Sequence, residues 1–125
     1  MHKLNFYFIN DFDQNHIKNL PKDIAIIYRN YDEKYNEKKI LKIKKFCRLN
    51  RRKFFLANNI NLVVKLNLDG AYIPSFNNSL LVKRLKLRNF ILLGSAHNIK
   101  EINHKKKQEI DYLFISPIFK TKKEN

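Results

Sequence analysis

The chain has 125 residues, 44% of them hydrophobic, with a single cysteine and a formal net charge of +15. That length allows one domain with a real core, about two-thirds of the unfolded surface being buried at this size, and a lone Cys47 excludes an intramolecular disulfide. No run approaches the ~18 apolar residues of a membrane helix, and the opening MHKLNFYFIND is too short and too polar for a signal peptide, so a soluble, cytoplasmic protein is expected.

In chain order, Leu4–Ile9 is the first strand candidate and ends in Asn10-Asp11. Residues 12–23 contain Pro21 and leave room for one or two helical turns. Ile24–Tyr28 (IAIIY) is a continuous, β-branched run of the kind buried on both sheet faces. Glu33–Asn50 turns helical, with Ile40, Ile43 and Cys47 on one face and lysines opposite. Phe54–Ala57 is a third strand, and 59–67 a short helix carrying Ile60, Val63 and Val64. Asp69-Gly70 turns into the strand Ala71–Ile73. Ser79–Arg88 is helical, Phe90–Leu93 a strand, Ile99–Gln108 a polar helix, and Tyr112–Ile115 the last strand. Strict alternation of six β and about five α units predicts a parallel α/β sheet with right-handed crossovers.

The segment LLGSAHN (92–98) places glycine, serine and histidine at the end of an apolar run. It has counterparts: Asn10-Asp11, Arg29-Asn30, Asn58-Asn59, Pro74-Ser75 and Ser116-Pro117 each lie just past a strand. In (β/α) barrels the loops at that face build the site, and this set of amides, hydroxyls and one arginine suits a phosphorylated or polar ligand. The competing reading of each cluster is ordinary turn chemistry. The basic residues, by contrast, are scattered over 38–45, 48–53, 83–88, 105–107 and 120–123, mostly on outer helical faces. That scatter predicts solvated surfaces rather than a specific nucleic-acid site. CRLNRRKFF (47–55) is the densest basic stretch, but Phe54 and Phe55 fit a buried strand better than a base-stacking platform.

These strand ends resemble the thiamine-phosphate synthase family and its thiazole tautomerase branch, TenI. Where the family opens with LYLVTD, this chain has FYFIND. A second-strand Q-x-R-x-K pattern survives as Arg29 within IIYRNY, with Ile27 and Tyr31 in place of the Gln and Lys. The family's IIND is LANN here, keeping Asn58 and replacing the aspartate with Asn59. ADGVHLGQED is LDGAYIPSFN, keeping Asp69-Gly70 and ending in Asn77. GVSVHS is LGSAHN, keeping Ser95 and His97. ADYIGFGPVFPTKTK is IDYLFISPIFKTKKE, keeping Asp111, Tyr112, Pro117, Phe119 and Thr121.

The resemblance implies an α/β fold of the (β/α) TIM-barrel type, incomplete here, with about six parallel strands of eight. One domain over 1–125 is expected, lacking the last two β–α units. An open edge at the final strand invites covering by an oligomer. The implied activity is joining a hydroxymethylpyrimidine pyrophosphate to a thiazole phosphate in thiamine biosynthesis, with magnesium assistance. Arg29, Asn58, Ser95 and Thr121 are the implied substrate- and phosphate-binding residues. Asn59 and Asn77 stand where the family's magnesium-binding aspartates lie, and an amide brings no charge to a hard cation. His97 is the implied acid–base residue of the tautomerase branch, which needs no metal. The alternatives are thus a thiazole tautomerase, a non-catalytic binder of thiazole or thiamine phosphates and, on charge alone, a basic nucleic-acid-binding protein. No membrane partner is expected.

Overall fold

A computed structural model describes residues 4–116. Six strands alternate with helices: β1 Asn5–Ile9, α1 Gln14–Lys18, β2 Ile24–Tyr28, α2 Glu37–Leu49, β3 Phe54–Ala57, α3 Ile60–Lys65 and β4 Gly70–Ile73. A 3₁₀ helix at Leu80–Arg88, β5 Ile91–Ala96, α4 Ile99–Lys107 and β6 Tyr112–Ile115 follow. The strand order is sequential, β1-β2-β3-β4-β5-β6. The described residues form two compact units, one running to Tyr72 and the other starting at Ile73.

In the first unit the pairings β1–β2, β2–β3 and β3–β4 are all parallel. Register places Phe8, Ile27, Ala57 and Tyr72 on one sheet face, because Phe8 pairs with Ile27 and Ala57 with Tyr72, and successive side chains alternate. Phe8 and Tyr72 meet edge to face, centroids 5.1 Å apart. Ile17, Ile40, Ile43, Cys47 and Val63 are buried on the helices, in the periodicity that their spacing predicts. Arg52 is also buried, and its guanidinium donates to four carbonyls, those of Ile17, Leu20, Pro21 and Ile24, at 2.7–3.0 Å. It ties the α1–β2 connection to the start of β3.

In the second unit β5 pairs in parallel with β6. The 80–88 segment is a 3₁₀ helix rather than an α-helix. Three residues per turn bring Val82 and Leu85 onto one buried face, while Leu80, Leu81 and Leu87 stay exposed. At Gly94 an added Cβ would sit 3.1 Å from Lys105 Cδ and 3.2 Å from Ile110 Cγ2. Glycine here makes room for the chain's own α4 side of the sheet.

The same device starts β4 and β6. Asp69, just before β4, donates its N–H to the Phe54 carbonyl, and its carboxylate accepts from the Phe54 N–H at 2.8 Å. Asp111, just before β6, does the same with Leu92, both contacts at 2.8 Å. Each carboxylate clamps the start of the preceding strand. Asp111 is also ion-paired with Lys86.

Candidate functional site

In the first unit, Arg29 follows β2 and donates its N–H to the Ile9 carbonyl at 2.8 Å. Its guanidinium carbon lies 4.1 Å from the centre of the Phe8 ring and 6.0 Å from that of Tyr72. Cation–π attraction fixes the charge over the apolar sheet face. Arg29 also lines a cleft of about 430 Å³ with Tyr7, Asn10, Asp11, Asp13 and His16. There the Tyr7 hydroxyl and His16 Nε2 are 2.9 Å apart. Asp11 pairs with Lys39 at 2.8 Å, and the lysine holds this carboxyl below its ordinary pKa of 3.8. Asn30 stitches the rim together: its amide donates to the Asn10 carbonyl, and its oxygen accepts from the N–H groups of Asp32 and Glu33.

Asn58 follows β3 in the left-handed region, φ 58°, with its N–H on the Tyr72 carbonyl at 2.8 Å. Asparagine tolerates that backbone better than most residues. Asn59 is the N-cap of α3, its side-chain oxygen accepting from the Leu62 N–H at 3.0 Å.

In the second unit, β5 runs through Ala96, so Ser95 lies within the strand, opposite Phe114. Alternation puts Ser95 on the sheet face away from that of Gly94, hence away from Lys105 and Ile110. His97 comes next. Its N–H donates to Glu101 Oε1 at 2.7 Å, while Asn98 caps α4 by accepting from the Glu101 N–H at 2.9 Å. This reciprocal cap fixes the backbone at the histidine. The ring is held too: Nδ1 is 2.8 Å from the Ser116 carbonyl oxygen. A carbonyl only accepts, so Nδ1 carries the proton, and in the neutral ring the lone pair resides on Nε2.

Asn77 is the other organiser of this unit. Its side-chain oxygen accepts from the Ser79 N–H at 2.9 Å, and its carbonyl accepts from Lys105 Nζ at 2.9 Å and Gln108 Nε2 at 2.7 Å. Thr121 lies outside the described residues.

These donor sets do not fit magnesium at Asn59 and Asn77. Each amide oxygen is neutral and already accepts a backbone N–H, whereas the ion calls for hard, anionic oxygens. Among the described residues no three His, Cys, Asp or Glu side chains converge on a point where a metal would bind.

Arg29 and Asn58 thus belong to the first unit, and Ser95 and His97 to the second. The Tyr7–His16 pair and the place of Asp13 in the Arg29 cleft were not expected from residues 12–23, read as a connection. The available signal was DFDQNH, an aspartate three residues before His16, which is the N-cap spacing observed (Asp13 to the His16 N–H, 3.3 Å).

Parallel β/α alternation with polar groups beyond the strand carboxyl ends defines a class of proteins that hold small ligands at that face. Within this class, the family model described as thiamine monophosphate synthase (TMP-TENI) matches residues 20–125, so the chain belongs to that family. A thiamine-phosphate synthase of Lysinibacillus sphaericus is 32% identical over 68 residues, covering 54% of this chain and 32% of that protein. A thiamine phosphate pyrophosphorylase from Pyrococcus furiosus has the same fold, with a TM-score of 0.68 at 18% identity over 94% of this chain and 62% of its own. The chain therefore spans about a third of that curated relative and less than two-thirds of that structure.

Proposed function

We propose that the chain acts in thiamine biosynthesis on a phosphorylated thiazole. The observation that carries this reading is the family match over residues 20–125. Under it, Arg29 supplies charge to a ligand phosphate, with Asn58, Ser95 and Thr121 as neutral donors. The family's synthase reaction joins that thiazole phosphate to a hydroxymethylpyrimidine pyrophosphate and releases pyrophosphate, which calls for positive charge at the leaving group. A cytoplasmic location belongs to the same reading.

A second reading, thiazole tautomerisation, is favoured by the held ring of His97. With Nδ1–H on the Ser116 carbonyl, Nε2 accepts a proton from one position of the bound ring and returns it at another. No proton is gained or lost overall, and no metal is called for. The poor fit of magnesium at Asn59 and Asn77 supports this chemistry over the transfer.

The test is to incubate pure protein with both phosphorylated precursors, with magnesium and with a chelator, and follow thiamine phosphate and the thiazole isomers separately. Thiamine phosphate formed only with magnesium supports the transferase. Isomerisation that survives the chelator supports the tautomerase. Neither product, with no binding of either precursor, rejects both.

A further inference from the structure

CRLNRRKFF reappears in the structure as a cleft. Lys44, Arg48, Arg51, Arg52, Lys53 and Asp69 line a depression of about 320 Å³ in the first unit, where α2 ends and β3 begins. Arg29 and Asn58 lie beyond the opposite, carboxyl ends of β2 and β3, so this cleft is distinct from the site described above.

Its charge is uncompensated. Arg52 is only 7% exposed, and all four hydrogen bonds of its terminal nitrogens go to neutral carbonyls. Its Nε is buried without a hydrogen-bond partner. The Lys44 ammonium rests on the Leu66 carbonyl at 2.7 Å. The single carboxylate, Asp69, is engaged by the Phe54 N–H. Five cations against one carboxylate leave the lining at +4. Among the described residues the ion pairs are those of Lys39, Lys65, Lys83 and Lys86, and none involves this cleft. A concave surface lined by one sign of charge focuses its field inward and concentrates counter-ions. The guanidinium groups of Arg48 and Arg51, exposed at the rim, offer planar donors suited to phosphate oxygens.

We propose that this cleft is a binding site for a small, multiply charged phosphate compound, a polyphosphate rather than a nucleic acid. Arg52 forms its fixed positive floor, and Arg48, Arg51 and Lys53 close on the anion from the rim. The cleft's size favours a small ligand, since a nucleic-acid backbone spreads its charge over many phosphates, one per ~1.7 Å of duplex.

Calorimetric titration with inorganic tripolyphosphate at physiological salt tests it. The expected result is saturable binding with a component that is weakened at least tenfold in the double variant Arg48→Gln/Arg51→Gln. Both replaced arginines are exposed, and an unaltered Tm confirms that the double variant is folded. A matched control, Lys100→Gln/Lys106→Gln on α4, removes the same charge elsewhere and leaves binding intact. The proposal is overturned by non-saturable uptake, by equal loss in the α4 control, or by a duplex oligonucleotide that competes at lower phosphate concentration than tripolyphosphate.

Discussion

Lys105 is fully buried, and its ammonium donates to the Asn77 carbonyl, with no carboxylate among the described residues in hydrogen-bond contact. Burial lowers its pKa from the ordinary 10.5, a shift that Glu101 partly opposes. The unfolded chain therefore holds this proton more tightly. The cost of the buried charge is full below the folded pKa and is relieved as pH rises from there towards 10.5. Replacing such a group with an apolar one of similar shape is often neutral or stabilising, and Gln108 still serves the Asn77 carbonyl. Lys105→Met is expected to raise stability by about 1 kcal/mol in urea denaturation at pH 7, with a smaller gap from wild type at pH 10. Destabilisation at both pH values would contradict this assignment. Cys47 offers a simpler check: burial pushes its thiol up to about 12, so Ellman's reagent is expected to react at pH 8 only after unfolding.

Much of the site's apparent polarity does its work within single elements. Asn59 reads as a rim residue standing where the family has a metal-binding aspartate, yet its side chain caps α3. An N-cap and a rim residue occupy the same place in sequence, just after a strand and before a helix, so composition alone does not separate them. The strands and α2 were legible because continuous β-branched runs and a 3.6-residue stripe have distinct periods. The extension of β5 through Ala96 was not, because Gly94-Ser95 looks like a turn until α4 packing explains the glycine. Gly94→Ala is expected to cost about 1–3 kcal/mol, since Lys105 and Ile110 crowd the new methyl. Asp69→Ala and Asp111→Ala should each lose about 1–3 kcal/mol by leaving a strand N–H without its carboxylate. Chemical denaturation of the three variants checks both figures, and neutral substitutions would argue against these strand clamps.

For the whole molecule, alternation of β and α units conveyed the parallel, sequential sheet, and the strand-end motifs conveyed the family. Net charge was a poorer guide, because its meaning depends on where cations converge, which only the fold reveals. Arg52 shows this: it is one of a basic run in sequence and a buried brace in the structure. Binding to random duplex DNA is accordingly expected to be weak and to vanish by moderate salt. No helix among the described residues is long and apolar enough to cross a membrane.

We propose that this family member handles a phosphorylated thiazole, with His97 as the proton-transfer residue of the tautomerase reading. The most direct measurement is the rate of isomerisation of the phosphorylated thiazole in the presence of a chelator, for wild type, His97→Ala and Arg29→Ala. The account predicts turnover by wild type, at least a hundredfold loss in His97→Ala with phosphate binding retained, and weakened substrate binding in Arg29→Ala. Equal turnover by wild type and His97→Ala would contradict it.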